Sequence, residues 1–165
     1  MNSSLFQYIF GLSKNPYVAK TALFLSYHLV FGVVAFLVYW SLFLAPRKIY
    51  AFALLFSAGL GTSIVVSLMK IIFLAERPYI KMNGIVPLVQ AWGTSFPSWH
   101  AAFMASLAVA GYVLNKELGI ALIIIAILTG ISRVAIGVHY PFDVMAGWLT
   151  GFLVGLLFIN LFKKI

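Results

Sequence analysis

The chain has 165 residues, of which 64% are hydrophobic and 8% charged. Soluble domains run near 45–50% apolar and about 25% charged, and a globule this small cannot bury such an excess. Composition therefore excludes a water-soluble enzyme and predicts an all-α integral membrane protein. Eleven Lys and Arg against three acidic residues give +8. The basic residues are too sparse for a groove that tracks nucleic acid.

The acids are Glu76, Glu117 and Asp143 alone, and there are no cysteines. A site built around two metal ions needs several carboxylates, so neither that chemistry nor a thiolate nucleophile is expected, and the chain is read as needing no metal or cofactor.

The N-terminal Leu5–Phe10 stretch is too short to span and reads as an interfacial helix within a segment reaching residue 20. Lys14 and Lys20 follow the apolar stretch instead of preceding it, so a cleaved leader is not expected. Five apolar segments come next, near Thr21–Ala45, Ala51–Ala75, Ala101–Leu114, Leu118–Val134 and Val144–Phe162. The third and fourth are short for a bilayer about 30 Å thick, so their helices are expected to extend into polar flanks. Residues 1–165 form one domain, with a long loop over residues 79–97 on the side where the chemistry gathers. Gly147, Gly151 and Gly155 recur every four residues in the last segment, a surface for packing within the chain or for a homodimer. His28 falls in the first span and reads as a buried, hydrogen-bonded packing residue.

Tight turns at Arg47/Lys48 and at Lys116, with Lys163/Lys164, put five basic residues on one face and six on the other. Setting aside Lys70, Arg77 and Arg133 as site residues leaves five against three. The positive-inside rule then favours a cytoplasmic C-terminus and an outward-facing loop.

Ionisable residues at membrane depth are costly, so each is a candidate for function. Lys70 and Arg77 are seven apart, two helical turns, which places both on one helix face if Pro78 ends that helix. Ser95-Phe-Pro97-Ser98-Trp99-His100 opens the third span with helix-start residues, whose free N–H groups make an anion site. Ser132-Arg133 and His139-Tyr-Pro141-Phe-Asp143 link the fourth span to the fifth. Pro141 again marks a helix start, so Asp143 falls in the first turn beside His139 and can fix its tautomer. Taken singly, these residues also read as snorkelling cations, helix caps and a dipole-complementing acid. Gathered on one rim, they fit phosphoryl transfer without metal.

The three clusters resemble the signature of the type-2 phosphatidic acid phosphatase superfamily, which includes the vanadium haloperoxidases. Lys, six residues, Arg-Pro is matched by Lys70, Arg77 and Pro78. Pro-Ser-Gly-His is matched by Pro97, Ser98 and His100, with Trp99 in place of Gly. Ser-Arg, five residues, His, three residues, Asp is matched by Ser132, Arg133, His139 and Asp143. The resemblance is nearest to the bacterial undecaprenyl-diphosphate phosphatases.

It implies a helical bundle related to the haloperoxidase core and a lipid phosphate as substrate. His139 would be the nucleophile, Asp143 its orienting acid and His100 the general acid. Lys70, Arg77, Ser98, Trp99 and Arg133 would line the phosphate site, with Trp99 narrowing its mouth. The implied setting is a bacterial cytoplasmic membrane with the site facing outward. A small transporter, the rival of another class, is disfavoured because no inverted repeat is present.

Overall fold

The computed structural model describes residues 2–164. Helix α1 (Asn2–Leu12) precedes α2 (Pro16–Leu44), α3 (Lys48–Phe73), the short α4 (Pro78–Lys81), α5 (Trp99–Leu114), α6 (Lys116–Ala135) and α7 (Pro141–Phe162). No strand occurs among the described residues. Four helices are long and apolar enough to cross a membrane, and α5 is a shorter apolar helix. The five apolar segments thus correspond to α2, α3, α5, α6 and α7. As expected, α5 and α6 begin in the polar flanks, at Trp99 and Lys116. Helix α6 starts where Asn115 Oδ1 accepts the Leu118 N–H at 2.7 Å.

The shortness of α5 has a packing reason. Its Ala101, Ala102, Met104, Ala105, Ser106, Ala108, Ala110 and Gly111 are all buried, so protein rather than lipid surrounds most of it. The outward faces of α2, α3, α6 and α7 instead present Phe31, Ile71, Leu128 and Leu153, suited to acyl chains.

The glycine stripe of α7 faces α5 within the chain. A Cβ on Gly147 would lie 2.6 Å from the Ser98 carbonyl oxygen, and one on Gly155 would lie 2.9 Å from Val109 Cβ. A Cβ on Gly151 would run into the Ala102 carbonyl. These three glycines are buried, so intrachain packing occupies the surface that a homodimer contact would need. Gly151→Val is expected to cost about 1–3 kcal/mol through overpacking and to lower the melting temperature in detergent. Gly32→Ala, at a position with open space around it, serves as the control. Equal melting of the two variants would contradict this helix contact.

Three expectations need correction. The helix carrying Lys70 does not continue to Pro78: α3 stops at Phe73, where Leu74 turns left-handed at φ 40°. Arg77 instead lies on an extended link (ψ 155°), the conformation that a following proline imposes sterically. Pro78 then opens α4 rather than closing α3, so the long loop contains one helical turn. His28 is exposed on the outer side of α2, stacked on Phe24 with centroids 6.0 Å apart, and is not a buried packing residue.

Helix α1 docks at the site end of the bundle. Phe6 is fully buried against Ala101, Val134 and Val144, and the Asn2 side-chain oxygen accepts the Phe142 N–H at 3.2 Å.

Candidate active site

The sequence places His139 through the way α6 stops. Gly137 turns left-handed (φ 87°), its N–H donates to the Val134 carbonyl at 2.9 Å, and the Val138 N–H reaches the Arg133 carbonyl at 3.3 Å. That paired closure is the Schellman pattern, with glycine at the left-handed position. It reverses the chain sharply, so His139 returns toward Arg133 in the last turn of the same helix.

Helix α7 begins two residues later. Pro141 occupies its first position, and Asp143 Oδ2 accepts the Tyr140 N–H at 2.8 Å. The same oxygen accepts the Ser95 hydroxyl at 2.5 Å and lies 3.7 Å from His139 Nδ1. The last separation exceeds a hydrogen bond, and Nδ1 has no partner. Catalytic hydrogen bonds often tighten only around substrate. Asp143 is thereby fixed by the helix cap and by Ser95, with His139 in front of it.

His139 is 2% exposed and lies in the connection between α6 and α7, outside the spans. Burial holds its imidazole well below the ordinary histidine value. Asp143 opposes that shift, while the charges of Arg133 and Arg77 reinforce it. The ring is therefore neutral at physiological pH, the form that carries a nucleophilic lone pair.

Ser98 caps α5, as the helix-start pattern predicts, but its groups divide differently than expected. Its backbone N–H donates to the Asp143 carbonyl at 2.9 Å, because the N-termini of α5 and α7 pack together. That N–H is thus unavailable to a phosphate. The Ser98 hydroxyl is fully buried and, among the described residues, has no partner. Arg133 is 3% exposed, and its Nε and Nη1 likewise lack partners. Buried donors without acceptors are expensive, and these two side chains are fit to hold the oxygens of an anion.

Lys70 and Arg77 converge although they do not share a helix. Lys70 Nζ donates to the Thr94 carbonyl at 2.5 Å. Arg77 donates from Nε to Gly93 (2.9 Å), from Nη2 to Trp92 (2.7 Å) and from Nη1 to Val138 (2.9 Å), all carbonyl oxygens. Three of its five N–H groups therefore tie the long loop to the strip that carries His139. The loop is tied further by Tyr79 Oη donating to the Ala91 carbonyl and by the Leu88 N–H donating to that of Ile136. Trp92, 95% exposed, projects from it.

Trp99 turns its indole toward α3, where Nε1 donates to Ser63 Oγ at 3.1 Å, and it stacks on Phe103 with centroids 4.8 Å apart. The indole N–H is committed there, so what Trp99 offers an anion is its backbone N–H in the first turn of α5. His100 follows, half-buried, edge-on to Trp99 at 5.1 Å.

Ser63 and Tyr27 take part in this arrangement without any sequence signal, and Ser95, the first residue of the helix-start stretch, does so in a way that stretch does not show. Ser95 stood beside the Pro-Ser-Trp-His cluster, but nothing local shows that its hydroxyl meets an acid 48 residues away. Tyr27 packs against both Arg133 and His100 from α2, a contact that no sequence pattern encodes.

A family model described as the PAP2 superfamily matches residues 50–165. The chain belongs to this family, in its membrane lipid phosphatase branch. Among curated proteins it is similar to the undecaprenyl-diphosphatase BcrC of Bacillus subtilis. The two are 29% identical over 164 residues, which is 97% of this chain and 83% of the relative.

Two crystal structures share the fold. Aquifex aeolicus LpxE superposes with a TM-score of 0.76 at 26% identity, covering 96% of this chain and 94% of its own. A transmembrane PAP2-type phosphatidylglycerolphosphate phosphatase from Bacillus subtilis gives 0.77 at 22% identity, covering 99% and 85%. The last supports the fold alone. The Lys70–Arg77, Ser98–His100 and Arg133–His139–Asp143 clusters all lie inside the stretch that the family model matches.

Proposed function

We propose that this protein is a metal-independent lipid phosphatase that hydrolyses undecaprenyl diphosphate to undecaprenyl phosphate through a phosphohistidine. The observation that carries the reading is the buried group of unpartnered donors, Ser98 Oγ and Arg133 Nε and Nη1, set beside a neutral His139 that Asp143 faces. Lys70 and Arg77, each with N–H groups left over, complete the positive cradle for the terminal phosphate.

His139 Nε2 attacks the terminal phosphorus, and the bond from phosphorus to the bridging oxygen breaks. His100 gives that oxygen its proton and then takes one from the water that cleaves the P–N bond, so histidine and phosphate are regenerated. Asp143 stabilises the imidazolium formed at His139. The cations and the Ser98 hydroxyl spread the charge on the equatorial oxygens.

Metal independence is supported by the donor inventory. The chain has three acids, and among the described residues no three His, Cys, Asp or Glu side chains cluster to hold an ion. The substrate assignment is supported by the name of the Bacillus subtilis relative and by a site at the end of an apolar bundle, where a polyprenyl tail stays in lipid. An outward-facing site in a bacterial cytoplasmic membrane is supported by the basic residues left at the opposite end.

The test is phosphate release by the purified protein from undecaprenyl diphosphate, phosphatidylglycerophosphate, phosphatidic acid and lipid A 1-phosphate, with and without EDTA. The diphosphate is expected to turn over fastest, EDTA to have no effect, and vanadate to inhibit as a mimic of five-coordinate phosphorus. Loss of activity in EDTA that magnesium restores would overturn the metal-free scheme. Preference for another lipid of the panel would reassign the substrate.

A further inference from the structure

Helix α2 lies wholly before the stretch that the family model matches, yet it reaches into the site. Two turns of it are π-helical, Trp40–Leu44 at its C-terminal end and, toward the site, Phe24–His28. Such a turn inserts an extra residue and re-aims the side chains around it, which is why π turns recur at functional sites. Polar contacts pin this one to α6: Ser26 Oγ and Ser132 Oγ are 2.8 Å apart, and Thr129 Oγ1 faces the Leu25 carbonyl at 3.5 Å. Ser132, the serine that precedes Arg133, donates to the Thr129 carbonyl within its own helix and meets Ser26 across the interface. Its role is to dock α2.

The residue that this docking aims is Tyr27. The Arg133 guanidinium carbon lies 5.0 Å from the centre of the Tyr27 ring, and the His100 ring meets it edge-on at 5.7 Å. We infer that Tyr27 is a positioning residue for phosphoryl transfer. Its ring holds the Arg133 guanidinium so that Nε and Nη1 face the anion, and it seats His100 beside them.

The physics is that of a desolvated cation. Arg133 is 3% exposed, and among the described residues those two nitrogens have no hydrogen-bond partner and no carboxylate forms an ion pair with it. A cation in a water-poor site is drawn to the negative face of an aromatic ring, and the ring spends no N–H that phosphate needs. A carboxylate in the same place would neutralise the guanidinium and repel the substrate. The Tyr27 ring therefore keeps Arg133 charged, oriented and unspent. This inference rests on the anion site proposed above.

Four variants separate it from that reading: Tyr27→Phe, which keeps the ring, Tyr27→Leu, which removes it, Arg133→Ala, and Tyr27→Leu combined with Arg133→Ala. Vanadate and inorganic phosphate binding is measured by calorimetry on each purified protein, alongside melting temperature and turnover. Tyr27→Phe is expected to bind within about twofold of the parent. Tyr27→Leu is expected to bind about tenfold more weakly, the worth of one desolvated cation–π contact. Its KM should rise while melting stays near that of Tyr27→Phe.

Adding Tyr27→Leu to Arg133→Ala should change binding little further, since the ring acts through the guanidinium. Parent-like binding by Tyr27→Leu, losses that add fully in the double variant, or a Tyr27→Phe defect as large as that of Tyr27→Leu would each overturn the inference. A parent protein that binds neither vanadate nor phosphate would instead defeat the anion site itself, and Tyr27's role with it.

Discussion

His139→Ala is expected to lower kcat on the order of 10⁴-fold or more, as removal of a covalent nucleophile does when the rest of its machinery stays in place. The imidazole is 2% exposed, so alanine also leaves a void and some stability is lost with it. His139→Asn refills most of that volume without restoring a nucleophile and should be equally inactive while melting near the parent temperature. An asparagine variant with a normal rate would remove the assignment.

The pH profile gives a second reading of the same group. Its pKa is held below the ordinary 6.5, first by burial and further by Arg133 and Arg77. Protonation would block attack, so the acid limb of kcat/KM set by His139 should fall at a pH below 6.5. A limb above that value would mean that substrate-free His139 is not the neutral group described.

Asp143→Asn is expected to be nearly as severe, with kcat falling on the order of 10³–10⁴-fold. Asparagine can offer its amide N–H to His139 Nδ1 and so favour the wrong tautomer. The variant also separates two jobs of one oxygen. Asp143 Oδ2 accepts from the Tyr140 N–H and from Ser95 Oγ. An asparagine carbonyl can still accept both, so melting should change modestly. Asp143→Ala leaves both donors buried without a partner and should cost about 1–3 kcal/mol of stability besides activity. Comparable activity in Asp143→Asn and the parent protein would show that the carboxylate serves the α7 cap alone.

The sequence exposed different parts of this structure unevenly. The spans were legible because long apolar runs have few other uses, and the His139–Asp143 pairing was legible because Pro141 marks a helix start locally. Lys70 and Arg77 stand out by their charge at membrane depth, and the structure brings them together by a different route than a shared helix face. Equal spacing along a continuous helix was a natural reading, whereas Leu74 breaks the helix and the two cations meet through the loop carbonyls of residues 92–94.

Other features depend on contacts far apart in the chain. The capture of the Ser98 N–H by the Asp143 carbonyl and the link from Ser95 to the carboxylate arise only once α5 and α7 are packed. The face of α2 toward Arg133 depends on a π turn, which has no compositional mark. Trp99 is expected to narrow the mouth of the site, whereas its indole turns toward α3 and donates to Ser63. A histidine within an apolar run carries no sign of which side of the helix it occupies, and His28 faces outward, stacked on Phe24.

The most direct test is to mix the purified protein with undecaprenyl diphosphate labelled in the terminal phosphate, quench within a turnover in alkali, and map the label. Base-stable, acid-labile phosphate on His139, absent from His139→Asn and discharged when the reaction runs on, is the expected result. Phosphate release at full rate with no label on any side chain, or label on His100 instead, would contradict nucleophilic catalysis by His139.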